Sequence, residues 1–254
     1  MRRVEYWVEY IESIFGPAPD EAECSVEDDR FDQIFATPVR KHSSLYWTPV
    51  AVAVHAAKLL VRRPGTRVLD IGCAPGKFCL VAAAITNGHF TGIEQRAHLV
   101  KAAKDAAMKQ RLKNVEIIHG NVTGLSFSKY DAFYLYNPFE ENMFTNQNID
   151  RSVPLSADLY TKYIKYVAAE LSAKPLGTLV VTYAGAALEV PSCYDCELSA
   201  FGRDLKLWVK ARDATPDDAP FGRFRHCSRR VALNRAFSKL RDYPVEEARV
   251  AGRV

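Results

Sequence analysis

The sequence predicts an α/β fold in which helices cover both faces of a seven-stranded, mostly parallel sheet. Three observations support this prediction. Five short β-rich runs alternate with helical stretches, a β-hairpin follows the last run, and 254 residues are enough for one well-filled core. Parallel neighbours need a crossover helix between them, so strict alternation favours a parallel sheet, and the final hairpin adds antiparallel strands.

Five strands are predicted where β-branched and aromatic residues run between turn signals. They lie at residues 67–71, 90–94, 115–119, 132–136 and 178–183. Helical spacing, alanine content and C-terminal lysines predict three helices between them, at residues 77–85, 97–112 and 157–172. Two runs, 194–201 and 205–210, flank Gly202-Arg203-Asp204 and form the predicted hairpin. This order of elements is typical of a Rossmann-like sheet.

Two flanks lie outside this core, so we divide the chain into three parts. Residues 1–65 contain an amphipathic stretch at 4–15, an acidic loop and a predicted helix at 45–61, and are expected to form a helical cap. Residues 66–211 form the core domain, and residues 212–254 form a basic extension. The basic stretch 223–241 could bind the phosphates of a nucleic acid, or could pair with the acidic flank instead.

Composition excludes several classes of protein. No apolar run approaches the roughly 18 residues of a membrane span, and acids rather than an apolar core follow Met1-Arg2-Arg3. We therefore expect a cytoplasmic protein with no membrane partner. Cys193-x-x-Cys196 lacks a second pair, so no metal site is predicted. No Gly-x-Ser-x-Gly is present, which leaves a serine hydrolase unsupported.

The segment with the most specific chemistry joins the first strand to the first core helix. It reads Asp70-Ile71-Gly72-Cys73-Ala74-Pro75-Gly76, and its glycines let the backbone turn tightly and approach a ligand. Ala74 and Lys77 stand where the later glycines of a dinucleotide fingerprint would fall, which disfavours an oxidoreductase. The segment closely resembles the first motif of class I S-adenosylmethionine-dependent methyltransferases. The resemblance implies that Asp70, Gly72, Cys73, Ala74 and Gly76 bind S-adenosylmethionine.

Further positions along the sheet match the same family. Glu94 ends the second strand, where the family places the carboxylate that accepts both ribose hydroxyls, and Gln95 follows it. Asn121 and Val122 follow Gly120 at the end of the third strand, where the resemblance implies contact with adenine. These positions complete the predicted cofactor site.

The acceptor side is predicted from Asn137-Pro138-Phe139, which ends the fourth strand. This turn resembles the Asn-Pro-Pro-Phe/Tyr motif of enzymes that methylate planar nitrogens, with one proline missing. The resemblance implies that the Asn137 side chain accepts a hydrogen bond from the substrate amine and also borders the cofactor. Upstream, Tyr46-Trp47-Thr48-Pro49 resembles the entry segment of small Dot1-like lysine methyltransferases, which implies that Tyr46, Trp47 and Thr48 line the substrate mouth.

These residues predict methyl transfer to a nitrogen of a protein side chain or a small amine, by in-line displacement. Two alternatives remain: methylation of an RNA or DNA base, and a cofactor-binding scaffold without activity. The Cys-Ala-Pro-Gly motif also resembles the cofactor loop of ribose 2′-O-methyltransferases. The catalytic Lys-Asp-Lys-Glu tetrad of that family is absent, because Asn137 ends the fourth strand where its Asp would lie. Val180-Val181-Thr182-Tyr183 ends the fifth strand without its second lysine. No residue is an evident general base, and the acceptor itself is not identified.

Overall fold

The computed structural model describes residues 28–143, 148–215 and Asp218. It contains one seven-stranded sheet, ordered β3-β2-β1-β4-β5-β7-β6. The strands are β1 Arg67–Ile71, β2 His89–Glu94, β3 Val115–His119, β4 Ala132–Tyr136, β5 Leu179–Tyr183, β6 Tyr194–Ala200 and β7 Leu205–Lys210. The first five run parallel, and β7 pairs antiparallel with both β5 and β6. The predicted fold class is therefore confirmed.

Helices pack on both faces of this sheet because its central strands are apolar on both sides. The helices are α1 Thr37–Arg40, α2 Ser43–Tyr46, α3 Val50–Leu60, α4 Lys77–Ile85, α5 Ala97–Lys109 and α6 Ala157–Ser172. Along β1, Val68 packs in the cluster formed with α3, α4 and α5, while Leu69 packs in the cluster formed with α6. This alternation follows from the two-residue period of a strand.

The helix predicted at 45–61 is shorter than expected. It begins at Val50, because Pro49 provides the extended residue before its first turn, and residues 43–46 form a separate short helix. Between the two helices, Trp47 is extended, with φ −107° and ψ 141°. The separate turn places the Tyr46-Trp47-Thr48 segment across the carboxyl end of the sheet.

The strand order reverses between β1 and β4, since the chain runs from β1 outwards to β3 and then returns to the other side of β1. In open α/β sheets, a crevice opens at such a point beyond the carboxyl ends of the strands. Asp70, Glu94 and Tyr136 lie at or near the carboxyl ends of β1, β2 and β4, so they border this crevice. The functional site is therefore expected in this crevice.

Some predictions lie outside the described residues, namely the amphipathic stretch 4–15 and the basic stretch 223–241. The division of the chain at residues 65 and 211 stays a prediction. Within the described part of the chain, no helix is long and apolar enough to cross a membrane.

Candidate functional site

The loop after β1 is held in a fixed shape by its own backbone. Gly72, Ala74 and Gly76 all have left-handed φ values, of 74°, 49° and 81°. The amides of Gly72 and Cys73 both donate to the Ile93 carbonyl on β2, at 3.0 and 3.1 Å. The loop therefore turns sharply over the end of β1 and leads into α4, which begins at Lys77.

Glu94 connects this loop to the end of β2. Its side chain is buried, with 7% exposed, and each carboxylate oxygen accepts one backbone N–H: from Ala74 at 3.1 Å and from Arg96 at 2.9 Å. Burial raises the pKa of Glu94, and the backbone amides of Arg96, Ala74 and Gln95 and the Arg96 charge oppose that shift. A carboxylate has about four lone-pair sites, so Glu94 can still accept a hydrogen bond from a ligand.

Asp70 is a buried carboxylate that lacks a cationic partner among the described residues. It is 3% exposed, and the Cys79 thiol donates to it at 3.4 Å. Burial raises the pKa of Asp70 to about 7, the Cys79 hydrogen bond opposes the shift, and the Glu94 charge adds to it. A bound ammonium group would compensate the cost of burying this charge.

The side chain of Asn121 makes hydrogen bonds to other residues of the protein. Its amide nitrogen donates to the Gln95 side chain at 2.9 Å and to the Tyr163 hydroxyl at 2.8 Å. Its amide oxygen accepts from the backbone and the hydroxyl of Thr123, at 3.0 and 2.9 Å. Asn121 therefore fixes the position of Gln95 at the crevice, and the buried Val122 packs below it. A direct contact of either residue with adenine stays a prediction.

The structure brings the Tyr46-Trp47-Thr48 segment and the loop after β1 to one pocket. We call it the first pocket; it has a volume of about 250 Å³. It is lined by Tyr46, Trp47, Thr48, Asp70, Gly72, Cys73, Ala74, Lys77, Phe78 and Tyr136. The Thr48 and Tyr134 hydroxyls are 3.0 Å apart, and Trp47 packs edge-on against Phe35 at 5.0 Å. The segment is thus both packed in the core and part of the pocket wall.

Lys77 is a site residue that the sequence did not predict. It is 3% exposed, and its ammonium lies 2.7 Å from both Asp28 and Asp32. Asp28 also accepts from the Val50 amide at 2.8 Å. The end of the acidic flank therefore binds the first turn of α4 beside the pocket. In the sequence, Lys77 stood out only because it occupies the position of a glycine in the dinucleotide-binding fingerprint.

Arg96 is a second unpredicted contact, and it joins β2 to the chain after β4. It is 6% exposed, and its guanidinium binds Glu141 at 2.6 Å and Asp150 at 3.1 Å. Asp150 also lies 3.5 Å from His98. Because these partners are more than forty residues apart, no local pattern marks them.

The turn after β4 forms the other side of the crevice. Asn137 has a left-handed φ of 41°, and its amide nitrogen donates to Glu140. No described residue donates a hydrogen bond to its amide oxygen, which lies beside Gly185. Pro138 lies against the loop after β1, since a Cβ added to Gly72 would be 2.7 Å from the Pro138 Cβ. Phe139 is buried and packs on Tyr163.

Comparison with known proteins places this arrangement in a family. The family model described as "Methyltransferase domain" matches residues 62–210. A demethylmenaquinone methyltransferase of Listeria welshimeri is 33% identical over 72 residues, which are 28% of this chain and 30% of that protein. A 23S rRNA (uracil(1939)-C(5))-methyltransferase of Xanthomonas oryzae is 39% identical over 70 residues, 28% of this chain and 16% of that protein.

The chain thus spans less than a third of the length of these curated relatives. Among solved structures, an RNA methyltransferase from Salinibacter ruber in complex with S-adenosyl-L-homocysteine is 20% identical. The match covers 67% of this chain and 97% of that chain, with a TM-score of 0.49.

Proposed function

Because the chain belongs to the S-adenosylmethionine-dependent methyltransferases, with the domain model matched over residues 62–210, we propose that it methylates a nitrogen. The acceptor is the amine of a protein side chain or of a small molecule. The observation that carries this proposal is the Asn137 amide in the turn after β4: its nitrogen donates to Glu140, and no described residue donates a hydrogen bond to its oxygen.

The residues of the crevice fit S-adenosylmethionine, the cofactor of this family. Glu94 offers a buried carboxylate at the end of β2, which suits a ribose hydroxyl. Asp70 offers a buried charge without a cationic partner, which suits the amino group of the methionine part. The left-handed backbone at Gly72, Ala74 and Gly76 brings the loop close to this position. When bound, the cofactor supplies the reactive methyl group.

The protein's own contribution is to position the acceptor. The amide oxygen of Asn137 accepts a hydrogen bond from the substrate N–H and so directs the nitrogen lone pair towards the methyl carbon. In this position the amine would be in line with the methyl group that a bound cofactor would supply. Positive charge develops on the nitrogen, and the Asn137 dipole disperses it. Pro138 keeps this turn in contact with Gly72, and hence with the cofactor loop.

The charges around the turn favour an amine over a phosphate. Glu140 binds the Asn137 amide. Asp204 lies near enough to Tyr136 and Tyr183 to raise the pKa of both hydroxyls, after burial. These acids attract a protonated amine and repel the phosphates of a nucleic acid.

Labelled cofactor tests the proposal. The protein is incubated with methyl-labelled S-adenosylmethionine and cell extract, and portions are then treated with protease or with ribonuclease. We expect the label to become soluble after protease, or to reside in a small amine, and mass spectrometry of the labelled species locates the methyl group. Label that only ribonuclease releases would overturn the amine proposal.

The second candidate function is methylation of an RNA base. Its support is the 39% identity to the rRNA uracil methyltransferase over 70 residues, together with the seven bases and no acid in residues 221–241. This function requires phosphate contacts, so RNA binding should fall steeply as salt rises. RNA binding that is absent, or insensitive to salt, counts against it.

A further inference from the structure

A second pocket borders the Asn137-Pro138-Phe139 turn. The space between its walls, which includes open solvent, is about 230 Å³. It is lined by Asn137, Pro138, Phe139, Tyr160, Ile164, Ala186, Ala187, Leu188 and Glu189. Its walls are therefore the turn after β4, the start of α6 and the loop after β5. The site described above uses none of the last group.

The loop after β5 is fitted closely to Asn137. A Cβ added to Gly185 would lie 2.9 Å from the Asn137 amide oxygen and 3.0 Å from its carbonyl carbon, so any other residue here would displace the Asn137 side chain. Ala184, Gly185 and Ala187 all have left-handed φ values, of 54°, 71° and 52°. Such backbone strain is held where the surrounding structure demands it. The loop thus brings its acidic residue, Glu189, into the pocket beside Asn137.

Glu189 is a buried carboxylate without a partner from another residue. Its side chain is 7% exposed, and among the described residues no other residue donates a hydrogen bond to it. Its own backbone amide gives the one hydrogen bond that acts on its charge. A charge that is buried and unpaired costs several kcal/mol, so such a residue is expected to have a ligand.

The groups that face Glu189 come from each element around it. Tyr160 on α6 has its pKa raised by burial and by the charges of Glu189 and Glu140. Burial raises the pKa of Glu189 to about 6, and the positive charge of Lys206 on β7 opposes this shift. At neutral pH Glu189 is therefore mostly ionised, yet basic enough to take up a proton.

We propose that Glu189 binds the protonated amine of the acceptor in the second pocket and takes its proton before methyl transfer. This rests on the nitrogen acceptor proposed above. One N–H bond of the ammonium group breaks and its proton passes to a Glu189 oxygen, which leaves a neutral amine with a free lone pair. That lone pair attacks the methyl carbon while the S–C electron pair returns to sulfur. The proton then leaves Glu189 for water.

The acceptor is therefore a cation at neutral pH, such as a lysine side chain or a primary alkylamine. A neutral base of RNA carries no proton for Glu189 to remove. The tyrosine beside it adds a ring and a hydroxyl, which suit the methylene and ammonium groups of an alkylamine. Glu189 would thus be the general base that the sequence alone did not identify.

Glu189→Gln tests the proposal, because it keeps the shape of the side chain and removes its charge. Transfer from labelled S-adenosylmethionine to n-butylamine, or to the protein fraction that wild type labels, is measured from pH 6 to pH 10. For wild type, kcat/KM should rise through about pH 6 and then level off. For Glu189→Gln it should fall roughly 100-fold at pH 7 and recover as pH approaches the amine's own pKa.

Controls separate this role from a structural one. Glu197→Gln removes an exposed carboxylate on β6 and should leave transfer unchanged. Glu189→Gln should unfold no earlier than wild type at pH 8, because it removes an unpaired buried charge, and its affinity for S-adenosylhomocysteine should be unchanged. Equal activity of wild type and Glu189→Gln at pH 7 overturns the role of Glu189. A loss that persists unchanged at pH 10 overturns the proton transfer.

A failure of the nitrogen-acceptor proposal would give a different result from a failure of the role of Glu189. If wild type methylates an oxygen or a carbon, the nitrogen acceptor is wrong whatever Glu189→Gln does. If wild type methylates an amine and Glu189→Gln does so equally well, the role of Glu189 alone is wrong.

Discussion

The two sides of the crevice are built in different ways. On the cofactor side, Asp70 and Glu94 lie on regular strands, and backbone amides of the adjoining loops hold Glu94 in place. Left-handed backbone occurs on both sides, at Ala74 on the cofactor side and at Asn137, Ala184 and Ala187 on the acceptor side. The cofactor side is held by hydrogen bonds between the neighbouring strands β1 and β2 and their loops. The acceptor side depends on how two loops fit together, and such loops can change between proteins that share a fold.

The largest effect is expected from Glu94→Ala, which removes the ribose contacts and the support of the loop. Two charge-assisted hydrogen bonds are lost, so affinity for S-adenosylhomocysteine should fall roughly 1,000-fold. Calorimetry measures the affinity, and circular dichroism checks that the variant folds. Glu116→Ala, an exposed glutamate on β3, is the matched control and should bind normally. Unchanged affinity in a folded Glu94→Ala variant would mean that the ribose is misplaced.

Gly72→Ala should disturb both sides at once. The new Cβ would meet the Pro138 Cβ at 2.7 Å, and φ is 74°, so stability should fall by about 3 kcal/mol. Gly65 has a similar φ of 78° but nothing within 4 Å, so Gly65→Ala should cost only about 1 kcal/mol. Urea unfolding compares the two variants. Equal losses would show that the two sides do not touch at Gly72.

Asn137→Ala should affect the acceptor side alone. The rate of transfer at saturating cofactor should fall roughly 100-fold, while affinity for S-adenosylhomocysteine stays the same. Asn137→Gly accepts the left-handed φ of 41° without strain and should show the same loss, which assigns the effect to the amide. If Asn137→Gly keeps full activity, the side chain has no part in positioning the acceptor.

The smallest effect is expected from Asp70→Asn. The substitution should raise the stability of the protein and lower its affinity for the cofactor. Since burial raises the pKa of Asp70 to about 7, the folded protein binds more protons than the unfolded chain between about pH 4 and pH 7. Stability therefore falls as pH rises through that window. Without cofactor, Asp70→Asn should be more stable than wild type at pH 8, with little difference near pH 4.

The same variant should bind the cofactor more weakly, because the amino group loses its carboxylate. Urea unfolding at the two pH values, with calorimetry at pH 8, measures both effects. A variant less stable than wild type at pH 8 would contradict the account of Asp70 as an unpaired buried charge.

The fold, and the positions of Asp70 and Glu94 around the loop after β1, could be predicted because their signals are local, while their contacts with the cofactor stay predictions. Strand β1, the glycines that follow it and the acid that ends β2 all lie within about thirty residues, and each follows from a periodicity or a turn. The prediction of helix 45–61 was wrong in its start, since Pro49 separates two helices there.

The acceptor side could be predicted only in part. Asn137 was proposed from its resemblance to a known turn, and that role stays a prediction. Glu189 lies in an irregular loop that reaches Asn137 through Gly185, so no local pattern marks it. The ion pairs of Lys77 and Arg96 were also missed, because their carboxylate partners lie about 45 residues or more away in the sequence. Ionic pairs of this kind have no periodicity, so a single sequence does not reveal them.

The nature of the methylated atom tests the central claim most directly. Wild-type protein is supplied with S-adenosylmethionine that carries a carbon-13 methyl group, and the purified product is examined by nuclear magnetic resonance. The methyl carbon shift distinguishes a methyl group on nitrogen, oxygen or carbon. The account predicts an N-methyl signal from an amine. A methyl group on a ribose oxygen or on a base carbon would contradict it.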